Sequence, residues 1–277
     1  MSSILSICAD PDAAAAVDQG AAERGCRVRT VSTIAAGIEW IGLQQFELVL
    51  VHEGIKVEVS IRFLEAAWKA NPLTEGAIFN FQQPLENPWE AILIGANVFS
   101  GPDGIEAFKD LLDGIPKSIS AENLDQLGVL VVDDLDAPRD ILCSYIQALG
   151  FQHTFGVGSV DEALAELRKN GKKYFCVLSD ISMPLKSGIN LLQEIRAIDG
   201  LGTIPVVVCT AHPTGENLVR SIVAGATGFI VKPPRKALLR SELDKAKRFF
   251  RLGKDPRLCP ADLAPKFEDA MRRRGLI

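Results

Sequence analysis

Val129-Leu130-Val131-Val132-Asp133-Asp134 is a run of branched apolar residues that stops at two carboxylates. Three later segments end the same way. They are Val177-Leu178-Ser179-Asp180, Val206-Val207-Val208-Cys209-Thr210-Ala211 and Phe229-Ile230-Val231-Lys232-Pro233. A short, continuous apolar run rich in Val and Ile, cut off by a polar residue, reads as a strand buried on both faces. Such strands separated by helical patterns form a parallel, doubly wound α/β sheet, whose ligand crevice lies at the carboxyl ends of the strands. Three Asp, one Thr and one Lys are therefore expected at one edge.

The helical patterns between these strands are equally legible. Asp136 is the expected N-cap of a helix with Pro138 in its first turn and Ile141, Leu142, Tyr145, Ile146 and Leu149 on one face. Ser159-Val160-Asp161-Glu162 reads as a capping box. Further helices are expected at about 187–197, 215–224 and 235–250. This strict alternation gives a parallel sheet.

The first half repeats the layout. Ile4-Leu5-Ser6-Ile7-Cys8-Ala9-Asp10-Pro11 matches 129–136, Phe46 to His52 matches Tyr174 to Asp180, and Gly95 to Phe99 matches Gly225 to Phe229, all at offsets of about 125–130 residues. Two tandem copies of one fold follow. The chemistry does not repeat. Cys8 and Ala9 stand where the second copy has Asp133 and Asp134, and His52 stands where it has Asp180. Ser100-Gly101-Pro102 runs one residue short, so nothing matches Lys232. The expected organisation is a degenerate domain at 1–113, a linker at 114–127, a competent domain at 128–250 and a tail with a short helix at 251–277. Gly114, Pro116, Ser118 and Ser120 break the periodicity in the linker.

Composition bounds the function classes. With 277 residues, 47% hydrophobic and 23% charged, the chain is of ordinary globular make-up. A net charge of −5 argues against nucleic acid as the main partner. No apolar run approaches the ~18–20 residues of a membrane span, and the start lacks a signal peptide, so a cytoplasmic protein is expected. Cys8, Cys26, Cys143, Cys176, Cys209 and Cys259 form no CxxC pair and read as reduced thiols.

Three carboxylates on adjacent strand ends repel one another unless a cation neutralises them. Mg²⁺ suits such a site, being a hard ion that leaves positions for phosphate oxygens. Asp180, alone on the middle strand, is best placed as a nucleophile forming an aspartyl phosphate. Lys232 can pair a phosphoryl oxygen as a point charge, and the Thr210 hydroxyl can turn onto the same oxygens. An Asp-Asp pair alone is more often a helix cap, and Lys-Pro alone is a turn signal. Their common placement at strand ends is what carries the reading.

Residues 128 to about 250 resemble the CheY-like receiver domain of bacterial two-component response regulators. The likeness rests on Val-Val-Asp-Asp at 131–134, Ser-Asp-Ile-Ser-Met-Pro at 179–184, Cys-Thr-Ala at 209–211, Gly-Ala-Thr-Gly-Phe at 225–229 and Lys-Pro-Pro at 232–234. It implies the five-stranded order 2-1-3-4-5 in each copy. Asp180 is then the phosphoacceptor, with Asp133, Asp134, Asp180 and the Ser182 backbone carbonyl as Mg²⁺ ligands. Thr210 with Ala211, Phe229 and Lys232 would form the phosphate-binding and switching group. Ser182 and His212 occupy positions that tune water attack on the acyl phosphate, although His212 can equally cap the helix after Pro213. The bond before Pro233 is expected to be cis.

The implied protein is a response regulator without a DNA-binding or enzymatic output domain. It would take a phosphoryl group from a sensor histidine kinase or a histidine phosphotransfer protein, and signal through a downstream protein partner. Its only chemistry would be self-directed phosphoryl transfer and autodephosphorylation. A phosphorylation-independent scaffold and a phosphate sink in a phosphorelay are the alternatives. An aspartyl-phosphate phosphatase would want a second Asp where Ser182 stands. A dinucleotide enzyme would want glycines where Asp134 to Pro138 stand.

Residues 1–113 look like a degenerate receiver, and would supply a docking or homodimer surface. His52 reads as a phosphohistidine, a metal ligand or a substituted strand-end residue. Glu53 reads as an exposed loop carboxylate or a fixed negative charge, and His153 as a structural strand residue. Arg272-Arg273-Arg274 is explained by the dipole of a helix C-terminus, or by an anionic partner or nucleotide.

Overall fold

A strand that is apolar at every position needs cover on both sides, and the chain supplies it twice. The structure, a computed structural model, describes residues 2–85, 88–115, 121–253 and 255–277. They divide into two compact units, Met1–Ser118 and Ile119–Ile277. In the first unit the order is β1 (Ser3–Ile7), α1 (Pro11–Ala22), β2 (Arg27–Val31), α2 (Ile34–Leu43) and β3 (Leu48–His52). It continues with α3 (Val57–Ala70), β4 (Glu75–Asn80), α4 (Trp89–Leu93), β5 (Asn97–Ser100) and α5 (Asp103–Gly114). The strands pair in parallel in the order β2-β1-β3-β4-β5.

Local chemistry sets the helix starts. The Asp10 carboxylate accepts from the amides of Asp12 and Ala13, with Pro11 opening α1. Thr33 caps α2 through the Ala36 amide. The core behind the sheet is aromatic: Phe108 is fully buried between Phe81 and Phe99, at ring-centroid distances of 5.8 and 5.7 Å.

The second unit opens with α6 (Ala121–Asp125), so the expected linker 114–127 contains a helix, and Leu124 on it is buried. Pro116, Ser118 and Ser120 lie outside the described residues, as does Lys254 in the tail. Then come β6 (Gly128–Val132), α7 (Asp136–Ala148), β7 (Thr154–Val157), α8 (Val160–Asn170), β8 (Tyr174–Asp180) and α9 (Gly188–Ala197). β9 (Val206–Thr210), α10 (Gly215–Val223), β10 (Gly228–Val231), α11 (Lys236–Leu252) and α12 (Ala264–Arg273) complete it. The sheet order β10-β9-β8-β6-β7, read from its other edge, repeats that of the first unit. Both sheets are thus the expected parallel order 2-1-3-4-5.

The period-two rule of a strand explains the two cores. Val129, Val131, Cys176 and Leu178 meet Leu142 and Ile146 of α7 and Leu239 and Leu243 of α11. Leu130, Val132, Val177 and Val206 meet Leu164 and Leu167 of α8 and Leu191, Leu192 and Ile195 of α9. Each such side chain, fully buried, contributes roughly 1.5–3 kcal/mol of transfer free energy. No described helix is long and apolar enough to cross a membrane.

Some local expectations fail for identifiable reasons. Asp136 is not the cap of α7; Leu135 occupies that position without a side-chain bond, and Asp136 lies in the first turn, paired with Arg139. In the capping box, Ser159 accepts from the Glu162 amide, but Glu162 reaches back to the Gly158 amide. His153 precedes β7 and is exposed; its backbone carbonyl accepts from Val129. All six cysteines are free thiols, and only Cys26 and Cys143 are not buried.

Replacing Phe108 with Ala should cost about 3–5 kcal/mol, because the flanking rings of Phe81 and Phe99 cannot close over the void. Urea denaturation of the full chain measures it. A loss below about 1 kcal/mol, an ordinary surface value, would mean this aromatic cluster is not the first unit's core.

Candidate functional site

The carboxyl ends of β6, β8, β9 and β10 lie along one edge of the second sheet. β8 sits between β6 and β9, so Asp180, its last residue, is flanked by Asp133 after β6 and by Thr210 at the end of β9. Asp133 and Asp180 are buried, with 1% and 8% exposure, and Asp134 is half-buried. Carboxylate oxygens of Asp133, Asp134 and Asp180 lie within 4.8 Å of one another. Lys232, entering after β10, places Nζ 2.7 Å from Asp133 Oδ2 and 2.7 Å from Asp180 Oδ1.

This one ammonium group bridges two of three converging carboxylates. Burial pulls the Lys232 pKa down, but the hydrogen bonds to Asp133 and Asp180 outweigh it and hold the group above its ordinary value. Lys232 is therefore fully charged at neutral pH. The backbone fixes its entry: its amide donates to the Thr210 carbonyl at 2.8 Å, and the Lys232–Pro233 peptide is cis.

Neighbours hold the carboxylates in place. Asp133 Oδ1 accepts from the Leu135 amide at 3.1 Å, and the Arg139 guanidinium donates to the Asp133 carbonyl at 2.8 Å. Ser179 Oγ donates to the Asp180 carbonyl at 3.0 Å. Gly188, the first residue of α9, packs so close that a Cβ there would lie 2.0 Å from that carbonyl oxygen. Ser187 caps the same helix in a capping box with Asn190.

Arg139 and Gly188 escape a reading of the sequence alone. Ser187 signals the start of a helix, but nothing in local propensity demands glycine after it. Only the approach of α9 to Asp180 does.

The other candidates fall around this centre. Thr210 Oγ1 accepts from the His212 amide at 3.0 Å and donates to the His212 carbonyl at 3.3 Å. His212, Ala211 and Ser182 are exposed at the rim. His212 does not cap α10 with its side chain, because Thr214 Oγ1 accepts from the Asn217 amide and fills that role. Phe229 is half-buried and packs on the α8–α9 side of the sheet. Burial pushes the neighbouring Cys209 thiol up to about 12, so it stays protonated beside the carboxylates.

Three hard oxygen donors with no His or Cys among them suit Mg²⁺ rather than a softer metal. One ammonium cannot balance three carboxylates, so the donor set fits a divalent cation.

The equivalent edge of the first unit closes on itself. His52 Nδ1 accepts from the Gly54 amide at 3.2 Å, and its ring stands edge-on to Phe79 at 5.3 Å. Glu53 is half-buried and accepts from Asn80 Nδ2 at 2.7 Å, so it is not the exposed loop carboxylate expected. Ser100 Oγ accepts from the Leu85 amide. Among the described residues, the only cluster of metal-ligating groups is that of Asp133, Asp134 and Asp180.

Residues 129–244, all within the second unit, match the response regulator receiver domain. Chemotaxis protein CheY-3 of Vibrio cholerae serotype O1 is 37% identical over 117 residues, covering 42% of this chain and 88% of its own. Chemotaxis protein CheY of Pseudomonas aeruginosa is 30% identical over 117 residues, covering 42% and 93%. A solved response regulator receiver protein from Pseudomonas putida is 26% identical with a TM-score of 0.41, covering 46% of this chain and 99% of its own. By the match to its second unit, the chain belongs to the receiver-domain family of two-component response regulators.

Proposed function

We propose that Asp180 accepts a phosphoryl group from a phosphohistidine on a sensor kinase or phosphotransfer protein, with Mg²⁺ assisting. The modified protein then signals by changed affinity for a downstream protein. The observation that carries this reading is the Lys232 ammonium, 2.7 Å from both Asp133 and Asp180, beside a third carboxylate.

In the transfer, an Asp180 carboxylate oxygen bonds to phosphorus as the phosphorus–nitrogen bond of the donor breaks. The bonding electrons return to the imidazole nitrogen. Asp180 must leave its ion pair to do so, and Lys232 follows the charge onto a phosphoryl oxygen. Asp133, Asp134 and Asp180, with the Ser182 carbonyl, would hold Mg²⁺, which would supply the charge neutralisation that one lysine cannot. Thr210 contributes a hydroxyl that can exchange its neutral acceptor, the His212 carbonyl, for an anionic oxygen. Phe229 then moves with it, and Ser182 and His212 at the rim govern the entry of water that returns the carboxylate.

The first unit has no such chemistry in this reading. Its strand-end groups already satisfy one another, and it acts as a docking or self-association surface. The free thiols suit the reducing cytoplasm where such a kinase domain would meet it.

Intact mass after incubation with acetyl phosphate and Mg²⁺ tests the acceptor. One adduct of about 80 Da, the mass of a phosphoryl group, is expected, and it should vanish with chelator and in Asp180→Asn. Persistence of the adduct in that variant would overturn the assignment; a second adduct would overturn the inert role of the first unit.

Removing the lysine tests the charge balance. Lys232→Ala leaves a buried carboxylate pair without its cation. The unfolding free energy without Mg²⁺ should fall by roughly 3 kcal/mol, the lower end for breaking a buried pair. Saturating Mg²⁺ should restore most of it, read as a Tm difference by calorimetry. An equal Tm loss with and without Mg²⁺ would sink the idea that the two cations share one role.

A further inference from the structure

Helix α12 lies on α10. Phe267 and Met271, four residues apart on one face of α12, are 0% and 1% exposed. Between the helices runs a groove of about 380 Å³, walled by Val219, Arg220 and Val223 of α10 and Glu268 and Arg272 of α12. The basic run of the tail is largely spent within its own helix: Arg272 pairs with Glu268 at 3.1 Å and Arg273 with Asp269 at 2.6 Å.

α12 is short and has no side-chain cap: it has ten residues, and Leu263 at its N-cap supplies no side-chain bond. A helix of that length is marginal by itself in water, so its order depends on the two buried anchors.

A continuous set of contacts ties α12 to the carboxylate site. Thr210 Oγ1 holds the His212 amide and carbonyl. The same His212 carbonyl accepts from Asn217 Nδ2, in the first turn of α10, at 3.0 Å. Gly215, where α10 begins, meets the tail: a Cβ there would lie 2.1 Å from the Leu276 carbonyl oxygen. A phosphoryl group on Asp180 is a stronger acceptor than a neutral carbonyl. Thr210 can donate to it only by withdrawing its single proton from the His212 carbonyl, which loosens the 212–217 segment against Leu276.

We propose that α12 is a releasable cover on α10, seated while Asp180 is unmodified and loosened when it carries a phosphoryl group. This rests on the phosphoacceptor reading above. The face it uncovers takes an amphipathic helix of a partner protein, with two bulky apolar residues four apart, the pattern α12 itself presents with Phe267 and Met271. The cover and the partner compete for one surface, so phosphorylation acts as a population shift between the two.

Hydrogen exchange on the full chain tests the cover, with the phosphorylated fraction counted by intact mass in the same sample. Exchange of the α12 amides should speed at least fivefold in the modified fraction. An adduct with unchanged α12 exchange overturns the cover and leaves the phosphoacceptor standing. Absence of any adduct with acetyl phosphate and with a phosphohistidine donor removes the acceptor reading and, with it, the proposed trigger.

Two variants test the linkage without phosphate. Gly215→Ala places a methyl group against Leu276 and should speed α12 exchange in unmodified protein, while alanine remains a good helix former at that position. Phe267→Ser removes an anchor and should give fast exchange that phosphorylation no longer increases. Wild-type rates in both variants would overturn the proposal.

Discussion

Three carboxylates share one edge of the second sheet, and one ammonium group stands among them. That balance is the constraint on which the site depends. Asp133 is 1% exposed, so it cannot be hydrated as an isolated ion and must be paired. Lys232 pairs it and Asp180 together, across the strand that separates β10 from β8. The arrangement is under-neutralised by design of its residue types. Such a site is held together by one cation and remains receptive to a second.

The sheet makes this possible by separating two tasks. Its strands are apolar at nearly every position, so α7 and α11 cover one face and α8 and α9 the other. Polar residues are excluded from the interior and collect where the strands stop. Gly188 shows how tight the result is, since α9 approaches the Asp180 carbonyl more closely than any side chain would allow. The Asp180 backbone is thus fixed by packing while its carboxylate meets Lys232 at the edge.

Much of this was legible in residue order. Runs such as Val129 to Val132 announce strands buried on both faces, and their terminal residues announce a common edge. Helix limits were readable where a cap is chemical, as at Ser159 and Ser187, and misread at Asp136, where a good capping residue stands one place too late. Contacts between distant segments leave no local trace. Glu53 on Asn80 and α12 on α10 each depend on a tertiary approach that neither periodicity nor propensity encodes.

The two units together separate what the fold needs from what the chemistry needs. The first unit keeps the strand order and a buried core, yet its edge carries His52, Glu53 and Asn80 bonded to one another or to backbone. His52 ends β3 where Asp180 ends β8, and the strand forms all the same, because the end of a strand contributes little to the core. The reverse also holds. Stability alone does not call for Asp180 and Lys232 in the second unit, since a well-packed apolar group usually serves a buried position as well as an ion pair does. A paired charge where an apolar residue would serve separates the chemistry of the edge from the stability of the sheet.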